Sequence, residues 1–196
     1  MTYVDYRDKI KATLNQGWNI RDDLKDMPLE AVQGAQRAAS KPYAVCVVNV
    51  LGDLNVGNIL RSAVCFGAEK FFIIGRRKFD RRSAVGAQNY IELVRIDALD
   101  EEKNFLPDVF FSALAEHGYT PYAFETDGME LRGHCWGKIY RPCLIFGNEG
   151  LGIPEAVLDR IPDYRKVRID QVGVLRSLNV SVAAGIAMDH IHRQVI

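Results

Sequence analysis

Apolar positions along this chain follow two rhythms. Short runs rich in β-branched and aromatic residues predict strands at "YAVCVVNV" (43–50), "KFFIIG" (70–75), "NYIELVRI" (89–96), "YTPYAFE" (119–125) and "CLIFG" (143–147). Between them apolar residues recur at helical spacing in "VGNILRSAVCFG" (56–67), "PDVFFSALAEHG" (107–118) and the short "PEAVLDR" (154–160). Pro107 suits a first helical turn and Gly118 a C-terminal stop. Strand-like "KVRI", a Gly-containing loop and a final helix then repeat the grammar, with Val180, Ala183, Ala184, Ala187 and Ile191 on one helical face. Strands alternating with helices imply an α/β fold: a mostly parallel sheet flanked by helices, its functional groups in the loops beyond the strands' C-terminal ends.

Residues 1 to 40 read differently. They are polar, helical in pattern and balanced in charge, and "NQGWNIRDD" divides them into two helices. The division is therefore a short helical N-terminal extension (1–40), docking through Trp18, and a main domain (41–196). A chain of 196 residues with 48% hydrophobic residues buries one good core. No run nears the ~20 apolar residues that span a bilayer, and the start resembles no signal sequence, so a soluble, cytoplasmic protein without a membrane partner is expected. Cys46, Cys65 and Cys143 lie in apolar runs and read as buried; with Cys135 and four scattered histidines they show no metal spacing, and no metal is expected.

Formal net charge is zero, 25 basic against 25 acidic residues, so bulk charge gives no support to nucleic-acid binding. Local clustering does. In "GRRKFDRR", Arg76, Arg77, Lys78, Arg81 and Arg82 surround one acid, with Phe79 among them. A compact cationic loop with an aromatic suits phosphate contacts and base stacking, and a solvated loop is the plain alternative. A weaker cluster is Arg160, Arg165, Lys166 and Arg168.

Three strand-to-helix loops carry candidate chemistry. The first runs through Gly52 and Asp53 into a helix starting near Asn55, where Asn55 reads as an N-cap and Arg61, costly to bury alone, calls for an anionic partner. The second, "LIFGNEGLGIPEAVLD", places Gly147, Gly150 and Gly152 after a buried strand, where backbone amides approach a ligand closely. The third, "SLNVSVAAGIAMDH", puts Ser177, Asn179 and Ser181 at a helix entrance; a cap needs one such side chain, which leaves others for a polar ligand.

In this order, "NVGNILRSA" (55–63), "LIFGNEGLGIP" (144–154) and "SLNVSVAA" (177–184) resemble the three motifs of the SpoU-type (TrmH-like) branch of the SPOUT RNA methyltransferases, a likeness running from about residue 43 to the C-terminus. The resemblance implies a C-terminal deep trefoil knot, an exception to the rule against threaded chains. It implies a homodimer whose active site uses both subunits, and transfer of the S-adenosylmethionine methyl to a ribose 2′-hydroxyl in RNA. Carried over by position, it gives Glu125, Gly147, Ile169, Ser177 and Leu178 to the methyl donor and Asn55, Arg61, Glu149 and Asn179 to the reacting ribose. A guanidinium stays protonated at neutral pH, so Arg61 reads as a phosphate and ribose clamp rather than a base. Asp170 and Arg176 depart from the family pattern, and Arg176 resembles the variant of some tRNA-directed members, which favours tRNA over rRNA as the RNA partner. Two other readings are a knotted RNA-binding or assembly protein without turnover, and a dinucleotide-binding oxidoreductase. "GDLNVG" lacks the phosphate fingerprint that the latter needs.

Overall fold

The structure, a computed structural model, describes residues 19–48, 54–75, 78–102, 104–148 and 150–195. Its strands are β1 (Lys41–Val48), β2 (Ala68–Ile74), β3 (Glu92–Ile96), β4 (Thr120–Glu130), β5 (Pro142–Phe146) and β6 (Lys166–Arg168). They form a single sheet in the order β3-β2-β1-β5-β4-β6, with every pairing parallel. The helices are α1 (Leu29–Ala39), α2 (Leu54–Cys65), the single turn α3 (Arg81–Ala84), α4 (Pro107–Glu116), the single turn α5 (Glu155–Leu158) and α6 (Val180–His192).

The period-two geometry of β1 explains the layering. Tyr43, Val45 and Val47 join a core with α2 and α6, while Ala44, Cys46 and Val48 join the opposite core with α4 and α5. Burying each large side chain contributes about 1.5–3 kcal/mol, so a strand covered on both faces keeps no polar alternation. The chain lays β2 and β3 outward on one side of β1 and the later strands β5, β4 and β6 on the other, so the order of strands switches side between β1 and β5. The crevice beyond the C-terminal ends of these strands is where such sheets bind ligands.

Several details differ from the sequence expectations. Strand β4 continues past Glu125 to Glu130, because Val167 of β6 pairs with both Phe124 and Met129 and the residues between bulge outward. Gly128 sits in that bulge at φ 135°, where a Cβ would stand 2.5 Å from the Lys166 carbonyl oxygen. Helix α2 begins at Leu54, so Asn55 lies inside its first turn and is not the cap. The expected helix over 154–160 shrinks to one turn between Pro154 and Pro162. Cys46 and Cys143 are buried as expected, but Cys65 is exposed; it lies one turn beyond Arg61 on the solvent side of α2.

Of the N-terminal segment, α1 is described; Trp18 and the earlier predicted helix lie outside the described residues. Helix α1 buries Val32, and Gln33 and Gln36 donate to the carbonyls of Asn89 (2.8 Å) and Val64 (3.1 Å). Among the described residues, no helix is long and apolar enough to cross a membrane.

Candidate functional site

A cavity of about 520 Å³ opens at the β4 bulge, beyond the ends of β5 and β6 and at the start of α6. Its wall brings together Glu125, Gly147, Ile169, Ser177, Leu178 and Asn179, residues from three distant parts of the chain.

The loop after β5 is closed on itself. Asn148 N–H donates to the Gly152 carbonyl (3.0 Å), and Gly152 N–H returns a bond to the Asn148 carbonyl (2.8 Å). The Asn148 side chain, 8% exposed, accepts from Gly150 N–H at 3.0 Å. Across this closure Gly147 comes so near that a Cβ would lie 2.2 Å from the Gly152 carbonyl carbon and 2.4 Å from the Ile153 nitrogen. Only glycine fits. Glu125, at the start of the β4 bulge, ties the loop to its neighbour by accepting from Ile153 N–H at 3.0 Å.

The entrance to α6 is built around Asn179. As N-cap its Oδ1 accepts from Ser181 N–H (2.9 Å) and from the Ser181 hydroxyl (2.7 Å). Its Nδ2 donates to Asn55 Oδ1 at 3.1 Å, a bond across 124 positions of sequence. Asn55 is 8% exposed, one of the few polar residues buried in the core. One asparagine thus caps the last helix and holds the first turn of α2 beside the cavity. Helix α6 buries Ala184, Ala187, Met188 and Ile191, whereas Val180 and Ala183 line the cavity.

The approach to α6 is held from β6. The Arg168 guanidinium donates to Asp170 (2.8 Å) and to the Gly128 carbonyl in the β4 bulge (3.1 Å). The hydrogen bond from Arg168 keeps the Asp170 carboxyl below the usual carboxylate range. Ile169, between them, packs partly into the core. The stretch from Ile169 to Leu178 also walls a second cavity of about 590 Å³, and Ile169, Gln171, Ser177 and Leu178 line both. Here Val172 (105% exposed), Val174 (103%) and Leu175 (79%) stand in solvent, the exposed Ile186 of α6 lines the same cavity, and Val182 of α6 is exposed as well.

Other expected residues lie elsewhere. Arg61 is exposed on α2, outside the cavity wall, and pairs with no acid among the described residues, so burial is not what demands a partner there. Glu149, Arg76 and Arg77 lie outside the described residues. In the basic segment, Lys78 and Arg81 are exposed, but Arg82 pairs with Asp80 at 2.7 Å, and Asp80 caps α3. Phe79 is only 8% exposed and packs in the core, so it offers no face to a base. In the second cluster Arg160, Lys166 and Arg168 each bind an acid, and Arg165 lies over the Tyr164 and Tyr122 rings.

Asn148, Thr126 and Gln171 also line the cavity without having been singled out. Asn148 had a signal, an amide between two glycines in a loop that must turn on itself. Thr126 and Gln171 had none. Among the described residues, no group of histidines, cysteines and acids is arranged to hold a metal.

Comparison with known proteins places this geometry. A Staphylococcus haemolyticus protein, whose name assigns it to the TrmH family of tRNA/rRNA methyltransferases, is 28% identical over 152 residues, 71% of this chain. The chain spans only 54% of that relative's length. The crystal structure of the A. aeolicus TrmH/SpoU tRNA modifying enzyme superposes with a TM-score of 0.67 at 21% identity, covering 85% of this chain and 81% of that one. An AdoMet-bound rRNA methyltransferase from Sinorhizobium meliloti gives 0.66 at 22% identity, covering 82% and 60%. At such identities the superpositions establish the fold. The family model for the SpoU rRNA Methylase family matches residues 42–189, from the first strand of the sheet to the last helix, and the chain belongs to that family.

Proposed function

We propose that this protein is an S-adenosylmethionine-dependent RNA 2′-O-ribose methyltransferase acting in the cytoplasm, with tRNA the favoured substrate and rRNA the alternative. The observation that carries the reading is the Asn179–Asn55 bond of 3.1 Å, which joins the first and third sequence motifs at the rim of the cavity.

The cavity fits the donor. Its size lies within the range of about 300–1,000 Å³ usual for small-ligand sites, the glycine at 147 lets the loop at the cavity wall close on itself, and Glu125 supplies a carboxylate. Glu125, Gly147, Ile169, Ser177 and Leu178 would hold it. When bound, the donor supplies a methyl group made electrophilic by its positive sulfur. The residues around the ribose position the 2′-hydroxyl: Asn55 and Asn179 through their paired amides, Arg61 by clamping a phosphate and polarising the hydroxyl, and Glu149 by orienting Arg61 or Asn179. Transfer would exchange the sulfur–methyl bond for an oxygen–methyl bond, leaving the donor as a neutral thioether, and the hydroxyl proton would pass to a substrate phosphate that shares it.

Three features of the assembly belong to the same proposal: a deep trefoil knot in the C-terminal part, a helical extension over residues 1–40, and a homodimer. Supporting the dimer are the apolar Val172, Val174, Leu175, Val182 and Ile186, all in solvent on one chain, and an Arg61 that stands outside its own chain's cavity. Lys78 and Arg81, with Arg76, Arg77 and Arg82, are the proposed RNA contacts.

The test is methyl transfer from labelled S-adenosylmethionine to purified tRNA and rRNA, with the product nucleosides identified by mass spectrometry. A 2′-O-methylated nucleoside in tRNA is the expected product. Methylation of a base would refute the ribose chemistry, and donor binding without transfer to either RNA would favour a non-catalytic RNA-binding protein.

A further inference from the structure

The geometry points to Arg176, in the third motif, as the residue that reads the α-carboxylate of the methyl donor, a positioning and specificity role. The inference rests on the donor reading of the cavity given above.

Arg176 lies on the cavity wall, immediately before Ser177 and three residues ahead of the α6 cap. Among the described wall residues, the charged ones are Glu125 and Arg176. Glu125 already engages Ile153 N–H with one oxygen, and it suits a donor cation or hydroxyl rather than an anion. S-adenosylmethionine brings two positive groups, the sulfonium and the α-ammonium, and one negative group, the α-carboxylate. A carboxylate brought into the cavity needs a donor pair, and a guanidinium offers two parallel N–H groups in matching geometry. Arg176 makes no ion pair with a protein acid among the described residues and is exposed at the cavity mouth, so its guanidinium is available to a ligand.

Decarboxylated S-adenosylmethionine isolates this contact, because it lacks the carboxylate and keeps the rest. Calorimetric titration of the wild-type protein and of Arg176→Gln with both compounds is the experiment. Wild type is expected to prefer S-adenosylmethionine about tenfold, the usual scale of a partly exposed charge-assisted pair. Arg176→Gln is expected to lose that preference, and Arg176→Lys to keep part of it. Equal discrimination by wild type and Arg176→Gln, or none by either, would overturn the inference. So would unchanged donor affinity in Arg176→Gln accompanied by a raised KM for RNA and a weaker salt dependence, which would assign the side chain to an RNA phosphate. If the wild-type protein bound neither compound, the donor reading of the cavity itself would fall, a result distinct from the others.

Discussion

Replacing Asn179 by alanine removes two bonded functions from one position. The cap on α6 is lost, at a cost of about 1 kcal/mol, and so is the bond to Asn55, worth about another 1 kcal/mol between neutral amides. The sum, about 2 kcal/mol, lowers the melting temperature of a chain this long by about 4–8 °C. Asn179→Asp separates the parts: it keeps an oxygen for Ser181 N–H and loses the donor facing Asn55 Oδ1, so only the second cost should remain. The double-mutant cycle of Asn55→Ala and Asn179→Ala, measured by urea unfolding, should then give a coupling energy of about 1 kcal/mol, well above the ~0.3 kcal/mol typical of independent sites. A coupling indistinguishable from zero would mean that α2 and α6 are not joined through this pair, and the proposed convergence of the motifs would lose its structural basis.

Other outcomes follow from the same geometry. Gly147→Ala forces a Cβ onto the backbone at Gly152, so the loop must open; donor affinity in calorimetry should fall at least tenfold, and wild-type affinity would refute the tight closure. Lys78→Glu with Arg81→Glu should weaken RNA binding and flatten its dependence on salt in a filter-binding series, whereas Phe79→Ala should act on folding, costing about 3 kcal/mol as a buried aromatic. Burial, and then the nearby His190 charge, lower the His134 pKa below its ordinary value. The unfolded chain therefore binds more protons there, and this contribution to stability is complete above pH ~6.5 and declines as pH falls toward the folded pKa. Chemical denaturation between pH 7 and 5.5 should show a steeper loss in wild type than in His134→Phe; parallel slopes would refute the assignment.

The sheet was legible because its central strands are buried on both faces: unbroken runs such as "YAVCVV" and "CLIF" have few other uses, and the parallel order followed from the helices between strands. The cavity residues were legible through the family resemblance rather than through periodicity, which sees Gly147 as a breaker and Ser177 as one of several possible caps. What escaped depended on tertiary partners. The continuation of β4 to Glu130 needs β6 alongside it, and nothing local in "TDGME" announces that. Phe79 looked free among arginines because charge marks a segment as surface, yet a single aromatic can turn inward while its neighbours stay in water. Asn55 reads as a cap because asparagines near helix starts usually are; its partner lies 124 residues away.

A single strip of chain, from Ile169 to Leu178, partitions two hollows, and four of its residues line both. Any influence carried through this partition has the same free energy in either direction. If a partner covers the apolar flank formed by Val172, Val174 and Leu175 and thereby changes affinity in the smaller hollow, a ligand in that hollow changes the partner's affinity by the same factor.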